Sequence, residues 1–344
     1  MMRVAMYYNN HDIRLEEVAK PAIGPGELLV KIHSSSICGS DVMEWYRIHK
    51  APLILGHEIA GEICEVGQGV ESFQAGERVA ATHHVPCFTC HYCQRGHETV
   101  CDTLLSGTHF DPGGFCEYVR LPAINVDRGT WKLPEGMSYD AATFIEPLGC
   151  VIRGQKQARI TPGASVLVLG SGISGLLHLQ LAAATGAGRI IATDLDEFRL
   201  SMATKLGASE VLRADEDVPG KFRRINQGRG ADLVIVCATA TGAFQQAMAS
   251  VERGGTILFF APTMDGVTLP LSVNQLFWRR DVTITTTYAA SPSDCRTALE
   301  LIQHQRLPVE EMITHRFGLA EAGKGFRLVA EAKNSMKVII RPQE

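Results

Sequence analysis

A glycine-rich turn between a buried strand and a helix constrains the fold more than any other feature of this chain. The continuous apolar run Ser165-Val166-Leu167-Val168-Leu169 predicts a strand that is covered on both faces, and residues 176–185 predict a helix. The turn that joins them reads Gly170-Ser171-Gly172-Ile173-Ser174-Gly175. A G-x-G-x-x-G turn in this strand-turn-helix context is typical of a Rossmann fold, which is built on a doubly wound parallel sheet.

The same turn predicts a dinucleotide site. Gly170 permits the tight turn, Gly172 lets the backbone approach a pyrophosphate, and Gly175 allows the helix to pack closely on the strand. Ile173 lies in the turn at the helix N-terminus, whose unpaired N–H groups would face the phosphates. Asp194, at the end of the next strand and 19 residues beyond Gly175, would accept hydrogen bonds from the ribose and repel a 2′-phosphate. We therefore predict NAD as the cofactor.

Two alternatives concern this site. Arg199 follows Asp194 closely, and an arginine in that place can hold a 2′-phosphate. With Asp194 present, we expect Arg199 to stack on the adenine or to pair with the carboxylate. The glycines could also serve only the turn, with Asp194 capping the next helix, but the strand-turn-helix context favours the binding site.

Strand and helix patterns divide the 344 residues into two domains, because a chain of this length exceeds what one hydrophobic core usually supports. Up to about residue 127, short alternating strands and glycine-rich turns indicate a β-rich domain. After Ser138, apolar strands alternate with helices, which indicates βαβ units and an α/β cofactor domain over residues 149–286. Its predicted strands after the glycine turn are 189–193, 231–236 and 255–260, and its predicted helices are 198–206 and 243–251.

Charge and hydropathy exclude several classes of function. A net charge of −4 gives no footprint for nucleic acid or for an anionic membrane. The longest apolar stretch, near residues 176–184, is too short to span a bilayer, and the N-terminus lacks the apolar core of a signal peptide. We therefore expect a cytoplasmic enzyme with no nucleic-acid or membrane partner. The ten cysteines then favour metal or catalytic use over disulfides.

Four cysteines have the spacing of a structural zinc site. They follow the pattern C-x2-C-x2-C-x7-C in a polar loop: Cys87, Cys90, Cys93 and Cys101. Four thiolates around one ion form the closed tetrahedral shell of structural zinc. The alternatives are four unrelated cysteines or an iron–sulfur cluster, although nothing else in the chain calls for electron transfer. We predict one structural zinc ion in this loop.

A second group of metal-binding residue types is dispersed along the chain: Cys38, His57, Glu58 and Glu146. A catalytic zinc ion needs about three protein ligands and one open position, and a cysteine, a histidine and a carboxylate can supply them. Taken singly, each of these residues has an ordinary structural explanation. Spacing alone does not assign them to a metal.

A resemblance to a known family gives this group a role. The segment Gly56-His57-Glu58, with Gly61, Gly67 and Val70, matches the zinc alcohol dehydrogenase signature of the medium-chain dehydrogenase/reductase family. Three further segments resemble its sorbitol and threonine dehydrogenase branch, and the match extends over nearly the whole chain. These segments are Ile37-Cys38-Gly39-Ser40-Asp41-Val42, Ile145-Glu146-Pro147-Leu148 and Thr193-Asp194-Leu195.

The resemblance implies a catalytic zinc ion surrounded by four residues, of which the two carboxylates are assigned jointly: Cys38, His57, Glu58 and Glu146. It implies that zinc activates the alcohol, that Ser40 carries the released proton and that NAD takes the hydride. It also implies that the first domain is GroES-like, formed by residues 1–148 and completed by residues 287–344. Relatives of this kind are homodimers or homotetramers, so we expect one of those assemblies.

We therefore predict a zinc- and NAD-dependent dehydrogenase that converts a small secondary alcohol or polyol to the ketone. Met43 stands where many relatives have a relay histidine, and Glu44 and Thr287 replace residues typical of relatives that act on sorbitol. The second hypothesis is an L-threonine or amino-alcohol 3-dehydrogenase, in which Glu44 pairs with a cationic substrate. A hypothesis of another class is a non-catalytic zinc- and dinucleotide-binding protein, but the complete ligand set counts against it.

Overall fold

The computed structural model describes residues 1–106 and 109–344. Two compact units make up the described fold. The first unit is formed by Met1–Gly149 and Ala289–Glu344, and the second unit is formed by Cys150–Tyr288. None of the helices in the described ranges is long and apolar enough to cross a membrane.

The first unit consists mainly of strands with short helices between them, whereas strands and helices alternate in the second unit. The strands are β1 (Met2–Asn9), β2 (Asp12–Val18), β3 (Leu28–Ser36), β4 (Leu53–Ile54), β5 (Glu58–Val66), β6 (Arg78–Ala81), β7 (Tyr118–Leu121), β8 (Thr130–Lys132), β9 (Ser165–Leu169), β10 (Arg189–Asp194), β11 (Glu210–Arg213), β12 (Ala231–Val236), β13 (Val251–Phe259), β14 (Thr283–Thr286), β15 (Ile313–Gly318) and β16 (Lys337–Arg341). The α-helices are α1 (Glu44–Arg47), α2 (His91–Gln94), α3 (Asp102–Ser106), α4 (Ala123–Arg128), α5 (Tyr139–Ala142), α6 (Ile145–Ala158), α7 (Ile173–Ala184), α8 (Glu197–Lys205), α9 (Val218–Ile225), α10 (Thr241–Ser250), α11 (Val273–Leu276), α12 (Pro292–Gln303) and α13 (Ala322–Glu331). Short 3-10 helices cover Gly39–Val42, Ile48–Lys50, Glu98–Val100, Val309–Met312 and Leu319–Glu321.

The first unit is built mainly on two sheets. The larger has seven strands, with the order β15-β16-β3-β5-β6-β8 and with β7 paired to β3, and the smaller has the order β2-β1-β4. Leu28, Val30 and Ile32 of β3 pack with Ile59 and Ile63 of β5 in one buried core. Alternate residues share this core because successive side chains of a strand point to opposite faces.

A buried carboxylate fastens the C-terminal strands to the larger sheet. Asp140 lies in α5, and its Oδ1 accepts a hydrogen bond from Oγ of Ser34 at 2.6 Å. Its Oδ2 accepts from Nε of Arg316 at 2.7 Å and from Nη2 of Arg341 at 2.8 Å. One side chain therefore joins helix α5 to strand β3, near the N-terminus, and to strands β15 and β16, near the C-terminus.

The second unit is a parallel sheet with the strand order β11-β10-β9-β12-β13-β14. Numbered along this unit, the order is 3-2-1-4-5-6, the doubly wound arrangement of dinucleotide-binding folds. Leu167 and Val168 of β9 and Val234 and Ile235 of β12 are fully buried, so both faces of these central strands are covered. The predicted doubly wound α/β sheet is confirmed, and its strand order reverses next to β9, where the glycine turn begins.

We expect the substitution Asp140→Asn to lower the free energy of unfolding by about 2–3 kcal/mol at neutral pH. Hydrogen bonds to a charged group contribute about 1.5–3 kcal/mol each, and solvent screening reduces the share of the two partly exposed arginines. Urea denaturation measures this loss. The control is Asp127→Asn, which removes only a surface pair with the neighbouring Arg128 and should change the free energy by less than about 0.5 kcal/mol.

The stability that Asp140 contributes also has a predicted pH dependence. Burial favours the neutral acid, but Arg341, Ser34 and Arg316 outweigh it and hold the pKa of Asp140 below its ordinary value. The stability that this group contributes is present above its unfolded-state pKa and is lost as the pH falls through its lower folded-state pKa. Asp140→Asn should therefore lose less stability than the parent on acidification from about pH 7 to about pH 3. An equal loss in both proteins would contradict this.

Candidate metal and cofactor sites

A short turn after β3 presents the first candidate ligand. Cys38 precedes the 3-10 helix Gly39–Val42. Its backbone N–H donates to Oδ2 of Asp41 at 3.0 Å, and its Sγ accepts from the backbone N–H of Ser40 at 3.5 Å. These local bonds hold the sulfur in one place beside the end of the strand.

Strand pairing brings two more ligands to this sulfur. Glu58 begins β5 and lies opposite Ser36, near the end of β3, and His57 comes directly before it. One ligand atom from each of Cys38, His57 and Glu58 lies within 4.8 Å of the others. We call these three residues the first metal set. A cysteine, a histidine and a carboxylate form a ligand set that catalytic zinc accepts, with a fourth position left open.

Asp41 orients the histidine of the first metal set. Its buried Oδ1 lies 3.4 Å from Nδ1 of His57, which leaves Nε2 for a metal, as in sites where the second ring N–H is given to a carboxylate. Burial disfavours the charged imidazole, but Asp41 and Cys38 outweigh burial and raise the pKa of His57 well above its ordinary value. A metal ion has to displace that proton, so its affinity falls as the pH falls.

Glu58 is anchored through one oxygen and leaves the other available. Its Oε2 accepts hydrogen bonds from Oγ of Ser36 and from Nζ of Lys337, which is fully buried. Its Oε1 is buried and has no hydrogen-bond partner among the described residues. Burial raises the pKa of Glu58, although Lys337 opposes the rise. A buried carboxylate oxygen without a partner costs free energy, and a zinc ion beside Cys38 and His57 would satisfy it.

Glu146, the second predicted carboxylate, lies beside two histidines. Glu146 is in the first turn of α6, and its Oε1 lies 3.6 Å from Nδ1 of His84. Together with His83, these residues place three possible ligand atoms within 4.8 Å of one another. Glu146 is still close enough to the first metal set for its charge to raise the pKa of Glu58.

Ser40 shares the turn of Cys38 and is held by an arginine. Nε of Arg47 donates to the carbonyl oxygen of Ser40 at 3.0 Å, and its Nη2 donates to Oγ of Ser40 at 3.4 Å. The guanidinium also lies 3.8 Å from Asp41. The hydroxyl is therefore partly buried, fixed from one side and two residues away from the candidate ligand Cys38.

The four-cysteine loop is already shaped for an ion. Sγ of Cys90 lies 3.5 Å from Sγ of Cys93, Sγ of Cys101 lies 3.6 Å from Sγ of Cys87, and all four sulfurs lie within 4.8 Å of one another. A tetrahedron with zinc–sulfur bonds of about 2.3 Å has sulfurs about 3.8 Å apart. Hydrogen bonds from Thr89 lower the pKa of Cys87 to about 5, which supplies the thiolate that zinc binds.

The glycine turn in the second unit leaves room for a ligand at the start of a helix. Gly170 has φ of +97°, a left-handed conformation that glycine adopts without strain. Helix α7 begins directly after Gly172, so the N–H groups of its first turn have no partner inside the helix. A side chain at Gly175 would collide with the carbonyl oxygen of Gly170, so glycine is needed for α7 to pack this closely.

Asp194 and Arg199 lie beside this turn. Oδ2 of Asp194 accepts from the backbone N–H of Ser171 at 2.8 Å, and Oδ1 accepts from Leu195 and Asp196 at 2.8 and 3.0 Å. Nη1 of Arg199 lies 4.0 Å from Oδ2 of Asp194. The backbone therefore fixes the carboxylate at the turn, and the arginine is within reach of the same place.

Comparison with known proteins agrees with this geometry. Residues 24–135 match the alcohol dehydrogenase GroES-like domain, and residues 174–304 match the zinc-binding dehydrogenase domain. The L-threonine 3-dehydrogenase of Bacillus licheniformis is 33% identical over 94% of this chain and 94% of its own. The sorbitol dehydrogenase of Bacillus subtilis is 35% identical over 74% of each chain.

The chain belongs to the zinc-dependent medium-chain dehydrogenase/reductase family. A provisionally assigned zinc-binding dehydrogenase of Sinorhizobium meliloti 1021, solved with NADP bound, has a TM-score of 0.88 and 26% identity over 99% of both chains. The predicted family and the GroES-like plus Rossmann fold are confirmed. The protein is a zinc-dependent oxidoreductase that uses NAD(P) and acts on small molecules.

Several residues of the dehydrogenase sites were not found from the sequence. Asp41 and Lys337 support the first metal set, and His83 and His84 accompany Glu146. The adjacent pair of histidines, placed just after a strand and just before Cys87, was a usable signal. Lys337 gave a weaker one, as the charged first residue of a closing strand whose centre is apolar.

Replacing Lys337 by Met should destabilise the metal-free dehydrogenase by about 3–5 kcal/mol, because it leaves the carboxylate of Glu58 buried without its cation. The double variant Lys337→Met with Glu58→Gln should recover most of this loss, since both charges are then gone. Chemical denaturation of the chelator-treated proteins measures both effects. A double variant no more stable than Lys337→Met alone would show that the loss comes from packing and not from the charge.

Proposed function

We propose that this dehydrogenase oxidises a secondary alcohol or polyol to the ketone with NAD, in a reversible reaction. The observation that carries the proposal is the first metal set, in which Oε1 of Glu58 is buried next to Cys38 and His57 and has no hydrogen-bond partner within residues 1–106 and 109–344. A zinc ion held there by three residues would keep a fourth position for the substrate oxygen. When bound, zinc would supply a Lewis acid that makes an alcohol easier to deprotonate.

The residues of the chain have distinct roles in this proposal. Cys38, His57 and Glu58 hold the catalytic zinc, and Glu146 is the second carboxylate that can approach when substrate is absent. Ser40 receives the proton of the alcohol, because its hydroxyl lies in the same turn as Cys38. Asp41 keeps the ring of His57 in position, and Arg47 keeps the hydroxyl of Ser40 in position.

NAD is the proposed cofactor in preference to NADP. Asp194 is fixed beside the glycine turn, where its charge would repel a 2′-phosphate and accept the ribose hydroxyls. Arg213, a neighbouring cation on β11, already pairs with Glu197 and Asp215. Arg199 would contact the adenosine from the other side of Asp194. The proposed binding residues are therefore four residues of the turn and two that lie beside it: Gly170, Gly172, Ile173, Gly175, Asp194 and Arg199.

An L-threonine or amino-alcohol 3-dehydrogenase is the second candidate. The threonine enzyme of Bacillus licheniformis matches the chain over nearly its full length. Glu44 lies in α1 directly after the turn of the first metal set. Burial raises the pKa of Tyr7, and the negative charge of Glu44 adds to the rise. A carboxylate in that place would suit a substrate ammonium group.

We further propose that the protein is a homodimer or a dimer of dimers, joined through the second unit. Strand β14 ends the sheet order and has no second neighbour in the described ranges. Large apolar side chains nearby are exposed, with Val273 at 67%, Phe277 at 64% and Trp278 at 62%. A two-fold axis at the strand edge would pair β14 with its copy and cover these residues. A cytoplasmic location remains a prediction from the sequence.

The assay for the proposed function follows NADH formation with a panel of polyols, secondary alcohols and threonine. Turnover of polyols or secondary alcohols is expected. Cys38→Ser should remove one zinc ion per chain and lower kcat/KM by about 1,000-fold or more, since the several kcal/mol that zinc contributes amount to tenfold per about 1.4 kcal/mol. The control Cys64→Ser changes a cysteine outside the first metal set and the four-cysteine loop and should keep activity and zinc.

The outcomes separate the candidates. Turnover of threonine alone would favour the amino-alcohol enzyme. No turnover of any substrate, with full zinc content that survives Cys38→Ser, would support a non-catalytic binding protein and contradict the proposal.

The double variant Trp278→Glu with Ile284→Lys should convert the assembly to smaller species. Its charged side chains would lie at the proposed contact of the two copies and would have to lose their hydration there. Sedimentation velocity measures the change. Leu15→Glu alters an apolar residue of β2 that is 46% exposed in the first unit and should leave the assembly intact. A monomeric parent protein, or equal dissociation by Leu15→Glu, would contradict the proposed interface.

A further inference from the structure

The turn between β1 and β2 holds a buried asparagine that the proposed reaction does not use. Asn10 is only 8% exposed, although it lies in a hairpin turn of polar residues. The side-chain bond of the turn itself is made by its neighbour, because Oδ1 of Asn9 accepts from the backbone N–H of His11 at 2.9 Å. The side chain of Asn10 therefore does something other than the usual work of an asparagine in a turn.

Asn10 reaches the segment that carries Cys38 and Ser40. Its Nδ2 donates to the carbonyl oxygen of Val42 at 2.8 Å. Val42 ends the 3-10 helix Gly39–Val42, and the carbonyl groups at the end of a helix have no partner inside it. Donor and acceptor are 32 positions apart in the chain, so this bond ties the short helix to the hairpin of β1 and β2.

Asn10 is itself held by the core of the first unit. The hydroxyl of Tyr7 donates to Oδ1 of Asn10 at 2.9 Å. Tyr7 is fully buried and packs against Phe326, with ring centroids 5.8 Å apart. The backbone N–H of Asn10 also donates to Oε1 of Glu44 at 3.4 Å, at the start of α1. The amide group is thus fixed from both of its ends, and its donor faces Val42.

The Cys38–Val42 turn has a second anchor at its other end. The backbone N–H of Ile37, the residue before Cys38, donates to the carbonyl oxygen of Val338 at 3.0 Å, which joins the start of the turn to β16. Asn10 holds the end of the turn, so Cys38 and Ser40 lie between the two anchors. A segment fixed at both ends keeps its side chains in one arrangement, whereas a segment fixed at one end can pivot about it.

We propose that Asn10 is a positioning residue of the dehydrogenase, which fixes the Cys38–Val42 turn and so keeps the hydroxyl of Ser40 and the sulfur of Cys38 in their places. The consequence for the reaction rests on the proposed roles of Cys38 and Ser40, but the anchoring of the turn does not. Loss of the anchor should displace these groups without removing a ligand. A displacement of about 1 Å can lower a rate by about 100-fold.

Hydrogen–deuterium exchange of the full-length protein, read by mass spectrometry before and after treatment with a chelator, tests the anchor without reference to activity. In Asn10→Ala, amides in residues 38–47 should exchange at least about tenfold faster than in the parent, because local opening becomes easier. The matched control is Asn9→Ala, which changes the same residue type in the same turn and should exchange like the parent. If thermal melting shows that Asn10→Ala is unfolded, Asn10→Asp replaces it, since a carboxylate still accepts from Tyr7 but cannot donate to Val42.

Kinetics of the zinc-loaded proteins test the consequence for the reaction. Asn10→Ala should keep the zinc content of the parent, lower kcat by about 10–100-fold and change KM by less than about threefold, whereas Asn9→Ala should match the parent.

Three results would overturn the proposal: parental exchange in residues 38–47 of Asn10→Ala, faster exchange spread evenly over the first unit, or a parental kcat in a variant with full zinc content. A parent protein that turns over no alcohol would refute the proposed function, while faster exchange confined to residues 38–47 would still support the anchoring of the turn by Asn10.

Discussion

The buried ion pair between Glu58 and Lys337 is the interaction on which the first unit and its metal chemistry both depend. It joins the start of β5 to the start of β16, two positions 279 residues apart in the chain. Neither side chain is more than 1% exposed, so neither charge is stable there without the other. The pair holds one oxygen of Glu58, and this leaves the other oxygen available beside Cys38 and His57.

Other buried carboxylates of the first unit act in a similar way. Asp41 holds the ring of His57 and the backbone of Cys38, and Asp140 fastens the two C-terminal strands to β3. Asp140 is satisfied by groups from distant segments, whereas Asp41 acts on residues that lie nearer to it in the chain. The C-terminal residues are thus needed to complete the surroundings of ligands that lie near the N-terminus.

Local patterns in the sequence predicted much of the second unit. The apolar run 165–169 matches β9, and the predicted helix 198–206 lies within one residue of α8 at each end. The predicted strand 255–260 begins later than β13 (Val251–Phe259), because Arg253, Gly254 and Gly255 interrupt the apolar pattern. The glycine turn could be recognised because its strand, turn and helix are contiguous.

The candidate sites were less accessible to sequence reasoning. Family resemblance named Cys38, His57, Glu58 and Glu146, whereas spacing alone could not bring them together. Lys337, His83 and His84 escaped notice because their surroundings form only when distant strands pair. Nothing within a few residues of Lys337 indicates that Glu58 is its partner, so its burial could not be read from local hydropathy.

The central claim is that Cys38, His57 and Glu58 hold the catalytic zinc. Anomalous diffraction at the zinc absorption edge, from crystals grown with zinc, tests it most directly. A peak should lie about 2.3 Å from Sγ of Cys38 and about 2.0–2.2 Å from Nε2 of His57 and Oε1 of Glu58, with Oε2 of Glu58 still bound to Lys337. A fully occupied four-cysteine loop with no peak beside Cys38, or a peak there that Glu58 does not contact, would contradict the claim.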